Sequence, residues 1–187
     1  MFFSLALRGL RSADVSAFRE IRLHALREHP EAFGASWEEE RVQPVSRFAE
    51  RPENGHVIGA ISEGEPILGT IGISRSNGQK TQRIESIWAM YMSPTVCGKG
   101  LARLLLNAAL AEGGPSIASA PRGSTQGSRH SVESTGFKRW APEAEALKVG
   151  DVFHDGILMR LRLRTRRNTR SHRASQHDAP VAIYTAY

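Results

Sequence analysis

The stretch Cys97-Gly98-Lys99-Gly100 stands where an apolar, strand-like run ends and a leucine-rich, helix-like run begins. Glycine takes up positive φ at no steric cost and lets a ligand approach the main chain with no Cβ in the way. The N-terminus of a following helix presents unpaired N–H groups and partial positive charge. With Lys99 and Arg103 beside it, such a bend suits an anion, phosphate above all. The same residues also suit a plain turn. They form neither a GxGxxG fingerprint nor a P-loop, because the Gly-Lys pair lacks the required earlier glycine and the following Ser or Thr. Cys97 sits where a thiol can be activated, beside Lys99 at a helix start. No histidine is near it in sequence to serve as an oriented base, so it reads as a simple substitution rather than a nucleophile. The seven histidines show no metal-ligand spacing. His24 and His29 are five apart on a predicted helix and do not share a face. His154-Asp155 reads as turn chemistry.

The elements that must hold this bend are legible on both sides of it. Residues 3–10 read as a first strand. Val15, Phe18, Ile21, Ala25 and Leu26 fall near one helix face ending before Pro30. A second helix is expected near 36–50, with Ala32, Phe33 and Trp37 inward and Glu38, Glu39 and Glu40 toward water. "HVIGAIS" (56–62), "ILGTIGISR" (67–75) and "TQRIESIWAMYMS" (81–93) then read as an antiparallel meander, with an Asn-Gly hairpin signal in "SNGQ". Leu101, Leu104, Leu105, Ala108 and Ala109 mark the apolar face of the next helix, which a Gly-Gly pair ends. Residues 113–131 are rich in Gly, Ser, Pro and Arg, with almost no apolar periodicity; only "SIASA" has strand character there. Gly136 reads as a turn into a strand at Phe137. "EALKVGDVF" and "DGILMRLRL" read as a closing antiparallel pair. The chain has no internal repeats.

The chain has 187 residues and a net charge of +6. The length suits one domain, with at most an appendage. No apolar run reaches the roughly 18–20 residues that a membrane span needs. Arg8 and Arg11 interrupt the apolar start, and no positive charge precedes it, so the start does not read as a signal peptide. A single cysteine excludes an intrachain disulfide and a cysteine-based zinc site, and suits a reducing, cytoplasmic compartment. Arg164, Arg166, Arg167, Arg170 and Arg173 against Asp178 supply four of the six net charges. That composition predicts a basic, disordered tail over 164–187. With no aromatic among those arginines to stack a base, the tail speaks against nucleic acid as the main partner.

The segment "IWAMYMSPTVCGKGLARLLL" resembles the acyl-CoA binding motif of the GNAT superfamily of N-acetyltransferases, Arg/Gln-x-x-Gly-x-Gly/Ala between a strand and a long helix. The signature falls on Cys97 to Ala102: Gly100 and Ala102 match, Gly98 and Lys99 are common family choices, and Cys97 replaces the family's Arg or Gln. The resemblance extends to "LRGLRSADVSAFREIRLHALREHPEAFGASWEEE", "ESTGFKRW" and "DGILMRLRL", about residues 5–163, so it implies a GNAT-like acetyltransferase domain over 1–163.

The implied fold is α/β: a mixed, mostly antiparallel central sheet flanked by helices, in which the strand at 83–92 splays from its neighbour at a bulge. The implied cosubstrate is acetyl-CoA, with no metal. Its pantetheine arm would pair with backbone near Met90, Tyr91 and Met92, and its pyrophosphate would rest on residues 98 to 103, that is Gly98, Lys99, Gly100, Leu101, Ala102 and Arg103. The implied activity is acetyl transfer to an amine of a small molecule or a protein, with no membrane partner; a homodimer is left open.

Such a transfer needs a neutral amine, a polarised carbonyl and a protonated leaving thiolate. The family's base is often a glutamate on the fourth strand. Glu85 is the only carboxylate on that strand, and simple alternation puts it in phase with Ile87, Ala89 and Tyr91, opposite Ile84 and Trp88. A solvent-facing strand residue is its alternative reading. Arg22, "EAFGASWEEE" and Glu85 would line the acceptor side, where three glutamates would suit a cation. The family's thiolate-protonating tyrosine and its late asparagine fall on Val132 and Thr125. A non-catalytic CoA-binding remnant is therefore the alternative to an active enzyme.

Overall fold

The computed structural model describes residues 4–54, 56–62, 64–112, 117–120, 126–162 and 182–185. The chain opens with strand β1 (Ser4–Gly9) and helix α1 (Val15–Glu28), followed by α2 (Trp37–Arg41) and α3 (Val45–Asn54). Three antiparallel strands follow: β2 (His56–Ser62), β3 (Gly69–Arg75) and β4 (Ile84–Met92). Then come α4 (Leu101–Glu112), β5 (Ile117–Ala120), α5 (Gln126–Glu133), the long hairpin β6 (Lys138–Val149) and β7 (Val152–Arg162), and β8 (Ala182–Thr185). The sheet order is β6-β7-β5-β4-β3-β2-β1-β8. β4 and β5 are parallel, and the other pairs are antiparallel. This is the mixed, mostly antiparallel sheet expected. No helix among the described residues is long and apolar enough to cross a membrane.

Helices cover both faces of the sheet, and each face has its own core. On one, Leu101, Leu105, Leu106 and Ala109 of α4 and Val132 of α5 pack on Ile58, Ile71 and Ile87. On the other, Val15, Phe18, Ile21 and Ala25 of α1 meet Phe48 of α3 and Val57 of β2. Phe18 and Phe48 are fully buried and meet edge to face, with centroids 6.5 Å apart. The α1 stripe recurs at three- and four-residue steps, as an amphipathic helix requires. Its N-terminus is tied to β1: Asp14 accepts two hydrogen bonds from Arg8, at 2.7 and 2.8 Å, and one from the Arg11 N–H. The Arg8 bond above all holds the Asp14 carboxyl below its usual range, against its partial burial.

Several expectations give way to longer-range forces. The helix expected near 36–50 is two helices, because Pro44 cannot continue the first. The Asn-Gly signal does not make a tight hairpin. Residues 76–83 form a longer loop, closed by Ser76 N–H to the Ile84 carbonyl at 3.0 Å. His154-Asp155 lies within β7 rather than in a turn, where Asp155 accepts from the Glu145 N–H. Within 113–131, β5 and α5 do form despite the weak pattern. β5 is bonded on both sides, to β4 and β7, and such backbone pairing asks little of the side chains. Part of the supposedly unstructured tail, residues 182–185, pairs with β1 as an edge strand. The rest of the expected tail lies outside the described residues.

Candidate functional site

The glycine bend adopts the conformation its composition suggested. After a single 3-10 turn at Pro94–Val96, Cys97 is extended, and Gly98 and Gly100 take φ of +79° and +74°. An L-residue with a side chain rarely adopts those values. A Cβ added at either position would meet nothing within 4 Å. The main chain there borders open space, so backbone conformation and not crowding calls for glycine. α4 starts at Leu101 because its buried leucines anchor it to the sheet. Its first N–H groups therefore end at the bend, with exposed Lys99 and Arg103 flanking them. Cys97 is exposed, its thiol within 3.5 Å of the Ser93 carbonyl.

Beside the bend, β4 is irregular. Its register with β3 runs evenly from Arg75↔Glu85 to Gly72↔Trp88, then jumps to Thr70↔Tyr91. Three β4 steps oppose two on β3, which is a β-bulge. Ala89, inside it, has φ of +49°. Buried Thr70 reaches across, its hydroxyl donating to the Ala89 carbonyl at 3.0 Å. On the other edge, β4 pairs with β5 only over Ile84–Ser86. From Ile87 to Met92 that edge has no strand partner among the described residues, and the two strands part. The expected splay at a bulge is thus present.

The bulge also reverses the side-chain phase. Ile87 packs with the α4 core, and Trp88 with the α1 core. Beyond the bulge Met90 and Met92 join the α4 side, while Tyr91 joins Trp88 on the α1 side. Counting by twos through Ala89 therefore misplaces Tyr91. Glu85, two before Ile87, belongs to the α4 face. It is 2 % exposed and bridged by Arg75, its cross-strand partner, at 2.7 Å. The solvent-facing alternative for Glu85 fails on that burial.

On the α1 face a cavity of about 650 Å³ opens over Ser74 and Trp88. Its wall holds a buried ion cluster. Glu40 of α2 accepts from Arg22 Nε and Nη2 at 3.1 and 2.9 Å, and from Arg51 Nη1 and Nη2 at 3.0 and 3.2 Å. Burial alone would raise the Glu40 pKa; the bonds from Arg22 and Arg51 outweigh it and hold the carboxyl below its usual range. The Arg22 guanidinium also lies over Phe33, 5.1 Å from its centroid. α2 is held in place for this by Ser36, whose hydroxyl accepts the Glu39 N–H. Arg22 and the 31–40 segment thus come together as expected. Glu40 turns inward instead of facing water, because two arginines on other helices claim it. Glu85 is not brought to this cavity.

Tyr91 has a larger role in the packing than its sequence suggested. Its buried hydroxyl has no hydrogen-bond partner among the described residues, and its ring meets both His24 and His29, each with centroids 6.0 Å away. The two histidines share this neighbour because His29 has left the helix, at φ −137°. Burial, then the nearby Cys97 and Glu28, pushes the Tyr91 hydroxyl above its ordinary pKa. Val132 is a core residue, 7 % exposed. Thr125 lies outside the described residues.

A sequence model described as the Acetyltransferase (GNAT) family matches residues 19–118. A search of curated proteins finds no significant match. Among solved structures, the chain is similar to an acetyltransferase of the GNAT family from Streptococcus pneumoniae, with TM-score 0.72 at 15 % identity, covering 84 % of this chain and 98 % of that one. It is similar to a GNAT superfamily phosphinothricin acetyltransferase from Sinorhizobium meliloti in complex with acetyl-CoA, with TM-score 0.71 at 18 % identity, covering 91 % and 95 %. It is also similar to a ribosomal-protein-alanine N-acetyltransferase from Brucella melitensis, with TM-score 0.67 at 17 % identity, covering 84 % and 99 %. At such identities these likenesses speak for the fold alone. The family match spans more than half of the sequence and includes most of α1, the bulged β4 and the glycine bend, and the chain belongs to the GNAT family of acetyltransferases.

Proposed function

We propose that this chain is an acetyl-CoA-dependent N-acetyltransferase acting on an amine in a cytoplasmic setting, with residues beyond 163 outside the reaction. The observation that carries the reading is the parting of β4 from β5 directly before the Gly98–Gly100 bend. An extended acyl-pantetheine arm has the shape to pair with the free β4 edge, at Met90, Tyr91 and Met92, as a peptide adds to a sheet. The bend suits the pyrophosphate. Open space at Gly98 and Gly100 admits it, the N–H groups through Leu101, Ala102 and Arg103 face it, and Lys99 and Arg103 add positive charge. Bound acetyl-CoA would supply an acyl thioester, whose transfer to an amine forms an amide and releases the CoA thiol.

The chain's own contribution is chiefly positional. The bulge turns Tyr91 toward the α1 side, where Trp88 already lies, and the cavity beside Trp88 offers the amine a route to the cleft. The carboxylate of Glu85 belongs to the other face and is held by Arg75, so the proposal gives it no share in taking the amine's proton. Burial of Val132 favours a second reading, a CoA-binding protein without turnover, because valine offers no proton for the leaving thiolate. Calorimetric titration with acetyl-CoA, followed by thiol release over a panel of amines, separates the two. Binding with release supports the enzyme. Binding without release leaves the second reading, and no binding removes both.

A further inference from the structure

On its α1 face the sheet extends beyond the helices. α1 and α3 pack on β2, β3 and β4. Further out, on the β6–β7 hairpin, Trp140 is 54 % exposed, and Lys138 and Arg162 are exposed too. One register row crosses this face. It starts at Ser74 on the edge of the cavity and passes through Ser86 of β4 and Ser119 of β5. It ends at Arg160 of β7, directly opposite Lys138 of β6. The phase agrees with the packing: Ile157, Met159 and Leu161 pack with the α4 core, so Arg160 and Arg162 point the other way.

Like charges directly opposite each other destabilise a sheet. Lys138, Arg160 and Arg162 have no ion-pair partner among the described residues. The Arg160 guanidinium lies over the Trp140 ring, 4.4 Å from its centroid, and its buried Nε has no hydrogen-bond partner among those residues. Three cations thus share a face with an exposed tryptophan and lack a counter-charge there. The positive strip is short. Along the same hairpin the sign changes, with Glu143, Glu145 and Asp155. A uniformly charged nucleic acid lying across the hairpin would bring phosphates onto those carboxylates. The Trp140 face that Arg160 covers is not open to a base either. An acidic polypeptide segment suits the strip: its few carboxylates meet the cations, and its apolar side chains rest on Trp140 and half-buried Leu158.

We infer that this open face of the β6–β7 hairpin is a docking surface for an acidic polypeptide segment. Carboxylates along the segment meet Arg160 together with Lys138 and, two residues further along β7, Arg162. The strip lies about 10 Å, or two strand spacings, from Ser86. It is separate from the cofactor cleft and does not depend on turnover.

The probe is a labelled peptide of about nine residues, with three glutamates among leucines and serines. Its affinity is read by fluorescence anisotropy at low salt, beside the same peptide with glutamines and beside single-stranded DNA and RNA of equal length. The acidic peptide should bind about tenfold more tightly than the glutamine peptide, which is what three exposed ion pairs together supply. Lys138→Gln with Arg162→Gln should lose about fivefold. Arg27→Gln with Lys148→Gln, which removes as much charge off the strip, should stay within about twofold of the parent. Melting curves verify folding, and Lys138→Gln alone, with a loss of about twofold, serves if the double variant does not fold. Equal binding of the two peptides overturns the proposal, as does no binding at millimolar peptide, or a loss in the strip variant no larger than in the control. Tighter binding of either nucleic acid than of the acidic peptide overturns it as well.

Discussion

Replacing Gly100 with alanine separates two consequences of the bend. Gly100 has φ of +74°, and a Cβ there would touch nothing within 4 Å. Gly100→Ala thus adds no clash within the protein. Its stability cost is the strain of holding an L-residue in the left-handed region, about 1–2 kcal/mol. For a chain of this length that lowers the melting temperature by about 2–8 °C. Gly150 is a matched control. It turns β6 into β7 with φ of +58°, and a Cβ there also meets nothing. Gly150→Ala should show a similar thermal cost. Only Gly100→Ala places a methyl group where the phosphates are proposed to touch the main chain. Its acetyl-CoA affinity should fall about tenfold or more, the equivalent of about 1.4 kcal/mol, while Gly150→Ala binds like the parent. Melting curves and calorimetric titration of the three proteins give both quantities. If Gly100→Ala binds acetyl-CoA as tightly as Gly150→Ala, the phosphate assignment is wrong, whatever the stability data show.

The Glu40 and Asp14 carboxyls both sit below their ordinary pKa in the folded chain. Their stabilisation is complete above roughly pH 4.3 and is lost as pH falls through the depressed values. Melting temperature should drop steeply in acid. Glu40→Gln should cost about 3 kcal/mol near neutrality, because Arg22 is left buried without its counter-charge. The gap between parent and variant should close as pH falls, and a gap independent of pH would refute the assignment. Val132→Tyr should destabilise by about 1–3 kcal/mol by overfilling the α4-side core, and should not raise thiol release. Glu85→Gln should change kcat by less than about tenfold. A general base is worth about 100-fold or more, so a fall of that size would show that Glu85 does face the substrate.

The parts of the fold legible in the sequence are those written in local periodicity. The α1 stripe, the three meander strands and the leucines of α4 each bury a face that can be counted within one element. The bend was legible for a related reason, since Gly98 and Gly100 report a backbone requirement directly. β8 escaped, and β5 was marked only by "SIASA", because four-residue strands are held by neighbours far away in the chain and their own residues carry little pattern. The ion cluster escaped for the same reason. Arg22, Glu40 and Arg51 come from three helices, and a glutamate in a run of three gives no sign that it turns inward.

The bulge is the most instructive case. Alanine at 89 gives no warning of a positive φ, whereas a glycine would have. Yet that one conformation moves Tyr91 to the α1 face, leaves Glu85 on the other, and turns a strand edge toward the cleft. What fixes it is Thr70, nineteen residues earlier, whose buried hydroxyl has the Ala89 carbonyl as its acceptor. A residue on one strand thereby sets the chemistry available on the next. Counting by twos would have kept Tyr91 with Glu85 and Ile87, and it goes wrong there because the alternation rule holds only while the register does.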